Sequence, residues 1–197
     1  MQIGNRFLEA TRGDRFFALW WLALLRGPRR GELLAMRWQD VDWQAREVVI
    51  PEAKTDAGIR SIPLSEDGVG VLRDHRKRQL EERLLAHGAY EDNDLVFARE
   101  DGSPIPGHQI TFGFQRLARE HGLPVIRFHD CRHTAATLGL EAGVDVVVVS
   151  KMLGHADVRI TMDTYQHVRR QVFDDATAKV DALLASNRSA NVRESGR

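Results

Sequence analysis

The apolar positions near the start of the chain fall at helical spacing through Leu8, Phe16, Leu19, Trp20, Ala23 and Leu24, which predicts helix over 7–25. Gly13-Asp14 divides that run into two helices, and Arg26-Gly27-Pro28 stops it. Residues 16–25 are apolar without a break, too short a stretch for the roughly 20 residues that span a bilayer. Helical spacing resumes over 30–38 through Leu33, Leu34 and Met36. Residues 47–50 are rich in β-branched side chains and end at Pro51. Residues 59–64 alternate, with Ile59, Ser61 and Pro63 on one face and Arg60, Ile62 and Leu64 on the other. The polar stretch 52–58 between these two strands reads as a hairpin connection. A long helix over 65–85 carries a charged face, and a turn at 101–104 leads into a helix over 109–121 closed by Gly122 and Pro124.

The last third reads as a chain of short helices over 130–142, 146–153, 161–168 and 173–184. Residues 146–149 are consecutive valines, which periodicity alone could make a strand. Asp145 before them and Gly154 after Leu153 are cap residues and select helix. Residues 187–197 are polar and are expected to form a disordered tail. The elements add up to a mixed α/β fold, mainly α, with a small antiparallel β-sheet at one side.

Composition narrows the function without naming it. The 28 basic and 28 acidic residues cancel, which excludes a generally basic coat and leaves room for a local basic cleft. The basic set is 24 Arg and 4 Lys. Arginine's planar fork suits phosphate oxygens, although a GC-rich genome gives the same bias. A single cysteine, Cys131, excludes an intrachain disulfide framework, and no signal-peptide pattern opens the chain. Cytoplasmic residence is the expectation.

The densest cluster of chemistry is Phe128-His129-Asp130-Cys131-Arg132-His133. On a helix, His129 shares a face with Arg132 and with His133. His-Asp-x-x-His is one methylene from a zinc-protease signature. Arg132 inside it would set a fixed cation beside a dication, and the shorter Asp is a poorer general base, so the metal reading is the weaker one. Taken alone, the segment is also consistent with a capped helix start bearing solvated His and Arg. Further on come Leu153-Gly154-His155 and Asp163-Thr164-Tyr165. A tyrosine hydroxyl, with pKa near 10, becomes a nucleophile only when its proton is taken and its target is electrophilic. Upstream, Arg29 and Arg30 sit at a predicted helix start, and Lys54 sits at the hairpin tip. Each of these could equally be a solvated surface residue.

In their order and spacing, these pieces resemble the catalytic domain of the tyrosine recombinases, the phage integrase family, from about residue 7 to about residue 170. The first arginine box is similar to 27–42, with Arg29 and Glu32. The hairpin lysine is similar to Lys54-Thr55 followed by Arg60-Ser61-Ile62-Pro63-Leu64. The His-x-x-Arg box is similar to 129–134, and the last two pieces are Leu153-Gly154-His155 and Asp163-Thr164-Tyr165. Pro28 stands where Leu or Gln is common in the family, and Cys131 where Leu is common.

The resemblance implies a DNA-breaking and rejoining enzyme acting in site-specific recombination or integration. Tyr165 would be the nucleophile, and Arg29 and Arg132 would bind the nonbridging phosphate oxygens. His155 would donate to the same phosphate, His129 would assist proton transfer, and Lys54 would be the general acid. Glu32 and Asp130 would orient the arginines and histidines. It further implies double-stranded DNA as partner, self-association on DNA as a tetramer, no cofactor, no metal and no membrane. Residues 1–186 would form the catalytic domain, with the N-terminal core-binding domain of the family absent. An apolar stripe at Phe173, Ala176, Val180, Leu183 and Leu184 would serve assembly. Two rival readings keep the same residues: type IB topoisomerase-like DNA relaxation, or a truncated DNA-binding remnant without turnover.

Overall fold

The computed structural model describes residues 2–50, 60–154 and 158–159. Its first two helices are α1, Gln2–Ala10, and α2, Phe17–Arg26. Between them Asp14 does the work that the Gly13-Asp14 break predicted. Its Oδ1 accepts from the backbone N–H of Phe16 and from Trp20 Nε1, both at 2.8 Å. Every residue of α2 from Ala18 to Leu24 is buried. A helix apolar on all sides belongs in a protein interior, and four of the other described helices pack on α2. Trp20 meets Phe7 of α1 edge-on with centroids 6.3 Å apart and Phe128 at 6.2 Å. Gly27 ends α2 in the left-handed region, at φ 66°. A Cβ there would lie 2.6 Å from Leu153 Cδ2, so both conformation and space require glycine.

Helix α3, Arg30–Ala35, is shorter than the expected 30–38. The chain leaves the helix because Met36 is extended and pairs with a distant segment. Val96 N–H donates to Met36 O at 2.9 Å, and Trp38 N–H to Asp94 O at 2.9 Å. A non-local pairing of this kind has no local sequence signal. A 3-10 turn at Trp38–Asp40 then leads into β1, Val41–Asp42, which the sequence did not predict. The predicted strands are present as β2, Glu47–Ile50, and β3, Arg60–Pro63. The sheet order is β1-β2-β3, all antiparallel, with Val48 opposite Ile62 and Ile50 opposite Arg60. Val48, Ile50, Ile62 and Leu64 are buried, as the alternation requires, and Ser61 and Pro63 are exposed.

Helix α4, Glu66–Leu85, is capped by Ser65, whose hydroxyl accepts from Gly68 N–H at 3.2 Å. Two of its buried side chains are polar and satisfied. His75 Nε2 donates to Val96 O at 2.7 Å. Gln79 accepts from Trp38 Nε1 at 2.6 Å and donates to Leu95 O at 2.9 Å. These bonds secure the 94–96 segment that ends α3. Helices α5, Gly107–Glu120, α6, Asp130–Glu141, and α7, Val146–Leu153, complete the described elements. Asp145 Oδ1 accepts from Val147 and Val148 N–H, and Gly154 closes α7 in the left-handed region, so the valine run is helix. Cys131 is buried in the main core, where burial pushes its thiol up to about 12. Helices α6 and α7 share a small second core of Ala135, Ala136, Leu140, Val149 and Leu153.

The protein is therefore mainly helical with one small antiparallel sheet. Among the described residues no helix is long and apolar enough to cross a membrane. The hairpin tip at 52–58, the helices expected over 161–168 and 173–184, and the tail at 187–197 lie outside the described residues.

Candidate active site

Arg29 occupies the cap position before α3, in an extended conformation with φ −67° and ψ 150°. Glu32, at the third position of the helix, reaches back to it. Its Oε2 accepts from Arg29 N–H at 2.6 Å and its Oε1 from Arg29 Nη1 at 2.8 Å. This is capping-box geometry with an arginine in the cap seat. A second arginine arrives from β3. Arg60 Nη1 and Nη2 donate to the two Glu32 oxygens at 3.1 and 2.7 Å, and the side chains of both residues are 8% exposed. A third comes from α6, where the buried Arg132 donates from Nη1 to Gly27 O at 2.8 Å. Three elements far apart in sequence thus bring three guanidinium groups around one carboxylate.

The C-terminal end of α7 closes the same cluster. Arg60 Nε donates to Met152 O at 3.0 Å, and Arg29 Nη2 to Gly154 O at 2.9 Å. The last carbonyls of a helix carry its negative pole and lack intrahelical partners, so cations settle there. Three arginines and one glutamate sum to two positive charges, from three minus one. Burial pushes the Glu32 carboxyl up, but the hydrogen bonds from Arg60 and Arg29 more than offset it and hold it at about 2. Burial and the nearby charges of Arg29 and Arg60 bring Arg132 down to about 10, opposed by Glu32, so it remains a cation at neutral pH. A phosphoryl group, whose oxygens gain negative charge as it is attacked, is the kind of ligand that such a field favours.

Beside the cluster is a cleft of about 430 Å³, whose lining includes Pro28, Arg30, Thr111, Arg127, His129 and Arg132. Arg30 turns away from Arg29 and donates to Thr111 Oγ1 on α5 at 2.8 Å. His129 stands at the start of α6, exposed, with its ring 5.7 Å from that of His133 and perpendicular to it. Partial burial, then the charges of His133 and Arg132, lower the His129 pKa. The shift favours the uncharged imidazole, the form able to accept a proton.

Asp130 behaves differently from the role expected of it. Its hydrogen bonds are to Arg127, from the backbone N–H at 3.0 Å and from Nη2 at 3.0 Å. Among the described residues it makes no hydrogen bond to His129 or Arg132. It closes the turn ahead of α6, taking both the backbone N–H and the guanidinium of Arg127 three residues back. The structure brings together Arg29, Glu32, Arg132 and, at the cleft, His129. Lys54, His155 and Tyr165 lie outside the described residues; His155 directly follows Gly154 in the chain. Arg60 was not singled out for a role at the sequence level. Its signal was there: the strand alternation put an arginine on the same face as Ile62 and Leu64. Among the described residues, no group of three or more His, Cys, Asp or Glu could hold a metal ion.

Comparison with known proteins gives a consistent picture. The model of the phage integrase family matches residues 7–171. A tyrosine recombinase XerC-like protein of Caldanaerobacter subterraneus subsp. tengcongensis is 34% identical over 189 residues, covering 83% of this chain and 48% of the relative. The ICEBs1 integrase of Bacillus subtilis is 26% identical over 195 residues, covering 91% of this chain and 53% of the relative. Among solved structures, the crystal structure of XerA recombinase matches with a TM-score of 0.74 at 27% identity, covering 89% of this chain and 60% of that one. The chain spans about half the length of the curated relatives it matches. With the family model covering most of its length and with this fold, the chain belongs to the phage integrase family.

Proposed function

We propose that this chain cleaves and rejoins DNA strands in site-specific recombination or integration. The observation that carries the reading is the net-positive cluster in which Arg29, from the cap before α3, and the buried Arg132, from α6, gather with Arg60 around Glu32 beside His129. Arg29 and Arg132 bind the two nonbridging oxygens of the scissile phosphate, and His155 donates to the same group. Tyr165 attacks phosphorus, its proton leaving toward His129. The bond from phosphorus to the 5′ oxygen breaks, and Lys54 protonates that oxygen. The products are a 3′-phosphotyrosine and a free 5′-hydroxyl. Negative charge grows on the phosphoryl oxygens in the transition state, and two preorganised guanidiniums stabilise it without reorganisation. The covalent link keeps the phosphodiester energy, so the reverse reaction with another 5′-hydroxyl rejoins the strand.

The relatives named recombinase, integrase and transposase, together with similar structures solved in complex with DNA, support DNA as the substrate, which we take to be double-stranded. Self-association on that DNA, through the apolar stripe at 173–184, belongs to the same proposal. The test is covalent capture on a pool of nicked random-sequence duplexes, with the adduct trapped by detergent and mapped by peptide mass spectrometry. The expected adduct lies on Tyr165, disappears in Tyr165→Phe, and forms in excess EDTA. An adduct that survives Tyr165→Phe would assign the nucleophile elsewhere.

A further inference from the structure

Arg60 is an unusual residue for its place. It lies on the inward face of β3 opposite Ile50, with its side chain 8% exposed. A buried cation is costly unless paired and hydrogen-bonded. Arg60 meets that requirement in two directions at once. One edge of its guanidinium takes both oxygens of Glu32, and its Nε takes the carbonyl of Met152 at the end of α7. The next turn of the chain is shaped around it. Gly154 is in the left-handed region at φ 70°, and a Cβ there would lie 2.7 Å from Arg60 Nη1. So glycine at 154 is required by the backbone and also by the guanidinium packed against it.

Without Arg60, Arg29 would be the one side-chain cation hydrogen-bonded to Glu32 among the described residues. A one-to-one pair of that kind competes with a phosphate for the same guanidinium. With Arg60 present, each Glu32 oxygen is shared, and Arg29 stays 44% exposed at its side chain. Arg60 also fixes the end of α7, and therefore the point from which the chain continues into His155.

We propose that Arg60 is a positioning residue: it shares the Glu32 carboxylate with Arg29, draws off part of its charge and anchors the end of α7, so that the Arg29 guanidinium is held for the scissile phosphate. The inference rests on the strand-cleavage reading above and goes beyond it by giving a role to a residue that does not touch the phosphate.

A double-mutant cycle tests it, with Arg60→Met, Glu32→Gln and the pair, measured as single-turnover adduct formation on a nicked duplex recovered from the random pool. Arg60→Met should slow adduct formation roughly 30-fold while duplex affinity changes less than about threefold. Adding Glu32→Gln to Arg60→Met removes the competing charge and should restore the rate by about fivefold or more. Arg60→Lys should fall between, since a point charge cannot hold both oxygens and the Met152 carbonyl. Thermal unfolding shows whether each variant is folded at the assay temperature, and if Arg60→Met is not, the cycle is run on Arg60→Lys. A rate unchanged in the Arg60 variant, or a double variant slower than either single, would overturn the proposal. Failure of the wild-type chain to form any adduct would overturn the functional reading itself, and this inference with it; a wild-type adduct with an unaffected Arg60 variant would overturn this inference alone.

Discussion

Glu32 and Asp130 occupy matching local frames and do different work. Each sits three residues after an arginine, accepts from that arginine's backbone N–H, and pairs with its guanidinium. Glu32 closes the first turn of α3, and Asp130 the turn ahead of α6. The difference lies in what else arrives. Glu32 is one carbon longer, 8% exposed at its side chain, and receives Arg60 from a strand 28 positions on. Asp130 is 25% exposed and its partner Arg127 is 80% exposed, so solvent supplies the rest of its hydration. The same local motif is a tertiary joint in one place and a helix cap in the other. Burial and a third residue decide which, and neither is visible in the motif itself.

The largest effect should come from Glu32→Ala, which leaves Arg60 buried without its carboxylate. Removing one partner of a buried pair costs about 3 kcal/mol or more, read as a lower midpoint in urea unfolding at neutral pH. A loss below about 1 kcal/mol would place Glu32 with Asp130, as a surface cap.

The pH dependence sharpens the contrast. Glu32 lies at about 2 in the folded protein, below the roughly 4.3 of an unfolded glutamate. Its contribution is therefore present above the unfolded value and is lost as pH falls through the folded one. The wild-type protein should lose more stability between neutral pH and pH 2 than Glu32→Gln does. Parallel curves for the two proteins would mean that Arg60 and Arg29 do not hold the carboxylate in solution as they do in the structure.

Asp130→Ala should cost about 1 kcal/mol, the scale of a lost helix cap, and Arg127→Ala under about 0.5 kcal/mol, since exposed pairs contribute little. Both are measurable by the same unfolding midpoints. A loss in Asp130→Ala equal to that in Glu32→Ala would remove the distinction between joint and cap.

How much of this could be read in the sequence follows the same division between local and distant causes. Helix α2, the Asp14 break, the Gly27 and Gly154 stops and the alternation of β3 are local patterns, and each element stands where its pattern put it. The early end of α3 was not legible, because it depends on Met36 and Trp38 pairing with 94–96. Strand β1 was missed for the same reason, being two residues that extend an edge offered by β2. At the site, Arg29, Glu32 and Arg132 came from spacing and resemblance, and the structure assembles them. Asp130 was assigned an orienting role that its contacts with Arg127 do not support. Arg60 carried a usable signal, a charge on the inward face of a strand, whose meaning required the position of Glu32.

The central claim is that Arg29 and Arg132 form a preorganised phosphate site for strand cleavage. Its most direct test is the single-turnover rate of adduct formation in Arg29→Lys and Arg132→Lys, at equal duplex occupancy. Each variant keeps the charge and loses the planar fork. Each rate should fall by about a hundredfold, the scale of one lost preorganised donor group, with duplex affinity changed by no more than a few-fold. Wild-type rates in both lysine variants would contradict it and would reduce the arginine cluster to a structural joint.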